Sequence, residues 1–258
     1  MSVPLHAVRH GAAGGDAAPL LIAHGLFGSA RNWGVIAKRL SDARPVVAVD
    51  MRNHGASPDA GTHGHADLAA DLAAVIDGGP EPAPWDVLGH SMGGKAAMAL
   101  ALTRPELVRR LVVADIAPVP YAHSQSHLIA AMRAVDPAAI SRRSEADSVL
   151  AAAVPDVGIR AFLLQSLDLK AGRWALNLDA LEREMDRITG WEPVAGRFDG
   201  PALFLSGSAS DYVRPEHRGG IRALFPAARF ASIPGAGHWL HAERPREFEA
   251  AVRAFLDA

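Results

Sequence analysis

Five residues about a third of the way along the chain, Gly89-His90-Ser91-Met92-Gly93, fit the pattern G-x-S-x-G, directly after an apolar run and directly before a stretch of helical period. A serine in that setting can attack a carbonyl carbon, provided a tight turn lifts its hydroxyl clear of the backbone. Gly89 and Gly93 supply the room, because a Cβ two positions before or after the serine would crowd the turn. The turn also puts Ser91 at the N-terminal end of the next helix, where the backbone N–H of Met92 is free to meet an oxyanion. A glycine-rich turn can instead cradle a phosphate, but this loop has neither G-x-x-x-x-G-K-[ST] nor G-x-G-x-x-G.

Acyl transfer through a serine needs a base, an orienting acid and a second oxyanion donor. His238 is the expected base, since among the 12 histidines it alone combines a late position with a glycine-flanked loop, Pro234-Gly235-Ala236-Gly237-His238-Trp239. His90, His241 and His54 are its rivals. The loop His24-Gly25-Leu26-Phe27-Gly28 follows the first strong apolar run, and its Leu26 N–H is the expected second donor. His24 reads as a brace for that loop, and Phe27 as either pocket wall or core. Asp115 and Asp211 compete for the acid, and both respect the chain order Ser, Asp, His.

These residues need a scaffold. Short apolar runs bounded by Gly, Pro or Asp alternate with longer stretches of helical period, the pattern of βαβ units around a parallel sheet. The expected strands are PLLIAHG, RPVVAVD, WDVLGHS, VRRLVVADI, ALFLSG and ARFASIPG. Helical spacing covers 32–40, 66–76, 93–103, 215–225 and 245–256. Between the run ending near Ile116 and the one starting near Ala202 no convincing buried strand appears, while 126–135, 144–153, 159–167 and 178–188 have helical patterns. The expectation is an α/β core domain of 1–117 and 199–258 with an inserted helical cap of 118–198, since an unstructured loop of that length is improbable.

Composition narrows the chemistry. The 258 residues are 49% hydrophobic, enough for a sizeable core, and 26 Lys and Arg against 28 Asp and Glu leave no basic footprint for nucleic acid or an anionic membrane. A small-molecule ester or thioester is the expected partner. The absence of cysteine excludes a Cys nucleophile and a Cys-ligated metal, and it suits a cytoplasmic location. MSVPLHAVRHGAAGG lacks the basic start and apolar stretch of a secretory signal, so no export is expected, and no apolar run is long enough to span a bilayer.

HGLFGSARNWG, VDMRNHGASP, LGHSMGGKAAM, DIAPVPY, NLDAL and GAGHWLHAERP together resemble the small bacterial esterases of the α/β-hydrolase superfamily related to the mammalian abhydrolase domain-containing 11 proteins. The motifs run from His24 to Pro245, nearly the whole chain. The resemblance implies an α/β-hydrolase fold with a mostly parallel eight-stranded sheet, a helical cap, and carboxylesterase or thioesterase activity on short acyl chains without a cofactor or metal. The wider superfamily keeps its acid in a G-x-x-D pattern; this chain reads Gly207-Ser208-Ala209-Ser210, with Asp211 one place late. Similar esterases also carry serine there, so the resemblance favours Asp115 as acid, with Ser210 supporting His238.

The expected reaction is attack by Ser91, oxyanion stabilisation by the Leu26 and Met92 amides, and hydrolysis of an acyl-enzyme. A carbon–carbon bond serine hydrolase and a non-catalytic ligand-binding protein are the alternatives. Phe27, Tyr121, Trp174 and Trp239, with Phe162, are candidate pocket walls. Lys95 is expected to face solvent, and Asp179 to cap a helix.

Overall fold

Apolar runs without polar alternation need cover on both sides, and a sheet between two helical layers provides it. The computed structural model describes residues 2–11 and 17–258. Its strands are β1 (Ala7–His10), β2 (Leu20–Ala23), β3 (Val46–Val49), β4 (Trp85–His90), β5 (Val108–Ala114), the short pair β6 (Leu167–Asp168) and β7 (Arg173–Trp174), then β8 (Ala202–Gly207) and β9 (Ala228–Ile233). The main sheet runs β1-β3-β2-β4-β5-β8-β9, parallel throughout except for β1, which pairs antiparallel with β3. Among the described residues the sheet therefore has seven strands, not the eight that the resemblance implied. Six are the apolar runs read from the sequence. β1 gave no such signal because it lies at the sheet edge, with exposed and half-buried residues alternating.

Successive strand residues face opposite layers. Along β2, Leu21 and Ala23 join one core while Leu20 and Ile22 join the other, as the two-residue period requires. Helix α1 (Gly34–Leu40) packs Ile36 and Leu40 into the second of these cores. Helices α2 (His65–Asp77) and α3 (Met92–Thr103) pack Leu68, Leu72, Ala97 and Leu100 into the first. Alanines on every side of α3 let it sit close against both the sheet and α2.

Between β5 and β8 the chain forms α4 (Ser126–Arg133), α5 (Arg143–Leu150), α6 (Val157–Leu163), the β6-β7 hairpin, α7 (Leu178–Arg183) and α8 (Met185–Thr189). The helical pattern of 178–188 reads as one helix, yet it breaks at Glu184, whose carboxylate accepts the His63 N–H at 3.2 Å. After β8 come α9 (His217–Leu224), α10 (Leu240–Glu243) and α11 (Pro245–Leu256), and α11 sets Phe248 and Val252 beside α1. Among the described residues no helix is long and apolar enough to cross a membrane.

Several histidines are sealed inside this framework. Burial pushes His63 and His241 down to about 3 and His65 to about 4. An unfolded histidine titrates near 6.5. Below that pH the unfolded chain takes up protons that these three folded sites refuse, so their contribution is complete above 6.5 and is lost as the pH falls toward 3–4. Each such histidine should lower the unfolding free energy by about 2 kcal/mol between pH 7 and pH 5. Urea titrations should show the midpoint falling across that interval, and a constant midpoint would contradict burial in the neutral form.

Candidate active site

Ser91 stands between the last residue of β4 and the first of α3, with φ 53 and ψ −120. A non-glycine residue in that region is strained by about 1–3 kcal/mol, which the buried elements on both sides must offset. The sheet reaches right up to the turn, because the Ser91 N–H donates to the Ala114 carbonyl at 3.1 Å. The glycines are sterically required: a Cβ on Gly89 would lie 2.2 Å from the Gly93 oxygen, and one on Gly93 would lie 2.4 Å from the Ala23 oxygen.

His238 meets this serine from the loop after β9. Its Nε2 lies 3.0 Å from Ser91 Oγ and its Nδ1 lies 2.8 Å from Asp115 Oδ2. Asp115 directly follows β5, is fully buried and adopts φ 51. Its carboxylate accepts the Gly207 N–H at 3.1 Å and the Ser210 hydroxyl at 2.5 Å, so three contacts, from β8, Ser210 and His238, fix its orientation. Of the two candidate acids, the structure thus brings Asp115 to His238. Asp211 is exposed and meets Arg214 through its backbone carbonyl, because the one-residue shift from G-x-x-D aims its side chain away from the site.

Two of the rival histidines, His90 and His241, lie near His238 without sharing its contacts. His90 Nε2 donates to the His238 carbonyl at 2.9 Å, and His241 stacks on Trp33 with ring centres 4.2 Å apart. Burial holds both well below the usual histidine range. They remain uncharged near neutrality and do not oppose an imidazolium at position 238.

The loop carrying Leu26 is braced by the residues of the VDMRNHGASP motif. His54 Nε2 accepts the Phe27 N–H at 3.1 Å, and His24 Nε2 accepts the Met51 N–H at 2.9 Å. Each Nε2 must therefore be unprotonated, with Nδ1–H donating to the Arg52 and Gly25 carbonyls respectively. Burial lowers the pKa of both histidines and so favours this neutral form. The Asp50 carboxylate accepts the Ala30 N–H at 2.7 Å and the Ala56 N–H at 2.9 Å. These supports leave the Leu26 N–H without a protein acceptor among the described residues, and Met92 opens α3, so its N–H has none within the helix. The bracing roles of Asp50 and His54 were missed in the sequence; the density of polar residues in VDMRNHGASP was the available signal.

Ser91, His238, Leu26 and Met92 all line one cavity of about 330 Å³. Phe27, Phe162, Tyr121 and Trp239 line it as well, as expected of pocket walls. Trp174 does not: it is buried in the helical segment, where its Nε1–H donates to the Met132 carbonyl at 3.0 Å. Lys95, expected in solvent, is buried beside the cavity. Its Nζ donates to the Thr189 carbonyl at 2.7 Å and to the Gly190 carbonyl, and burial pulls its pKa down to about 7. The helical period of α3 places Lys95 one turn below Ser91, a position that the sequence alone did not distinguish from the outer surface. Asp179 pairs with Arg133 at 2.7 Å, and Asn177 rather than Asp179 caps α7 by accepting the Ala180 N–H.

A model of the alpha/beta hydrolase family matches residues 20–251. The chain belongs to that family and is a hydrolytic enzyme. The sn-1-specific diacylglycerol lipase ABHD11 of Mus musculus is 42% identical to it over 250 residues, 92% of this chain and 80% of that protein. Esterase YbfF of Escherichia coli (strain K12) is 39% identical over 241 residues, 93% of each. A solved structure described as a marine microorganism esterase superposes with a TM-score of 0.92 at 36% identity, covering 98% of this chain and 99% of that one.

Replacing Asp115 by Asn puts an amide against Nδ1 and favours the tautomer that cannot accept the serine proton. Asp115→Asn should lower kcat/KM for a p-nitrophenyl ester by about a thousandfold or more, with Asp211→Asn within about twofold of the parent. The reverse ranking would make Asp211 the acid.

Proposed function

We propose that the chain is a serine carboxylesterase that cleaves small or short-chain acyl esters through an acyl-enzyme. In this reading Ser91 is the nucleophile and His238 the base that takes its proton and later protonates the leaving group. Asp115 orients the imidazole and stabilises its cation, and Ser210 supports that carboxylate. The Leu26 and Met92 amides hold the oxyanion, and water delivered through the same imidazole releases the acid. The chain's own groups, with one water, supply each step of this scheme.

The observation that carries the reading is the continuous chain of contacts from Ser91 Oγ through the His238 ring to Asp115, opening on a largely apolar cavity. A volume of about 330 Å³ is near the lower end for ligand sites, which favours a short acyl group over a long one. Phe27, Tyr121 and Trp239 would contact the substrate. Residues 118–198 would act as a cap over a core of 1–117 and 199–258, since Leu128, Ile159, Phe162 and Ile188 from that segment complete the cavity wall. The relatives' names, an esterase and a lipase, support carboxylic esters as the substrate class. Thioesters of the same acyl groups fall within the proposal, because attack on the carbonyl is unchanged.

A fluorophosphonate probe should add to Ser91 and to no other residue, as read by mass spectrometry of peptides. Ser91→Ala should take up no probe and should hydrolyse p-nitrophenyl butyrate at least about a thousandfold more slowly, with its thermal unfolding unchanged. Parent-like turnover by that variant would end the proposal.

A further inference from the structure

The catalytic histidine of the proposed esterase carries a stacked partner that the scheme above does not use. The Tyr212 ring lies on the imidazole of His238, with centres 4.0 Å apart and planes 19° from parallel. The other ring neighbours of His238 are oblique: His90 at 4.8 Å and 41°, and Trp239 at 5.8 Å and 67°.

Tyr212 is itself held at three points. Its N–H donates to Ser210 Oγ at 3.3 Å, and that hydroxyl donates to the Asp115 carboxylate. Its carbonyl accepts the Tyr121 hydroxyl at 2.7 Å, while the same Tyr121 oxygen accepts the Ala117 N–H at 2.9 Å. Its phenol meets His123 Nε2 at 2.7 Å. Tyr121 and His123 belong to the segment after β5, so the ring against the base is clamped between the acid's support and that segment.

We propose that Tyr212 is a positioning residue that fixes the plane of His238 by ring stacking and stabilises the imidazolium formed when Ser91 gives up its proton. Flat contact restricts rotation about the bond that aims Nε2 at the serine. The negative face of an electron-rich ring also attracts a cation, and it does so only while the imidazole is charged, in the transition states of acylation and deacylation. Tyr212 also lines the cavity, but the charge that its ring meets exists only after proton transfer, so this effect falls on kcat rather than on KM. This inference rests on the reading of His238 as the base.

Three variants separate the ring from its hydroxyl. Tyr212→Phe keeps the stack and loses the contact with His123; Tyr212→Leu and Tyr212→Gln lose the stack. With a p-nitrophenyl ester, Tyr212→Phe should keep at least about half of the parent kcat. The two ring-less variants should lose about tenfold in kcat with KM within about twofold. Their fluorophosphonate labelling of Ser91 should slow by a similar factor. Two ring-less variants are made so that one that does not fold leaves the other to decide. A ring-less variant with parent kcat overturns the proposal, and so does a Tyr212→Phe variant as slow as the ring-less pair. A parent enzyme that takes up no probe at Ser91 would instead overturn the esterase reading itself.

Discussion

The register between β4 and β5 is the constraint on which the site depends. His90 pairs with Ala114, so the next residue of each strand, Ser91 and Asp115, emerges at the same sheet edge on neighbouring strands. Both leave the sheet with positive φ, at 53 and 51, conformations that ordinary residues avoid. Neither would hold that shape alone. The Ser91 N–H bonds to β5 and the Asp115 N–H bonds to β8 at 2.9 Å, so the sheet ladder itself continues through the two strained residues. The His238 ring then spans the gap between serine and carboxylate, with one nitrogen on each.

A second requirement is that nearby imidazoles stay neutral. His24 and His54 accept backbone N–H groups behind the Leu26 loop, a role that a protonated ring cannot fill. His90 touches the backbone of His238, where a charge would penalise an imidazolium. Burial performs this selection for all of them: desolvation is the largest influence on each, and it disfavours the charged form. The same enclosure that fixes the geometry thus sets the protonation states that the geometry needs.

Much of this was legible in the residues. Strands covered on both faces are continuous apolar runs, and those runs marked six of the seven main strands correctly. The turn at Ser91 was legible because its glycines answer a steric demand that no other residue type meets. The carboxylate partner of His238 was not fixed by the residues alone. Asp115 and Asp211 both follow strands, and only the spatial neighbourhood of β5 and β8 distinguishes the one beside His238; the family resemblance had already favoured it. Periodicity likewise places Trp174 and Lys95 on inward-facing positions or outer ones without saying which enclosed space they reach. Trp174 fills the interior of the helical segment, while Lys95 reaches up to its end. β1 and the β6-β7 hairpin escaped notice because an exposed edge and two-residue strands leave almost no pattern.

The Lys95 amine has a consequence for how the helical segment is anchored. An ammonium carries three N–H bonds and a neutral amine two, and the Thr189 and Gly190 carbonyls take two. Losing a proton near neutrality therefore breaks neither contact, and the tie between α3 and the end of α8 persists in both charge states. That tie holds the end of α8 beside the serine's own helix, at the wall of the cavity that Lys95 and Thr189 both line.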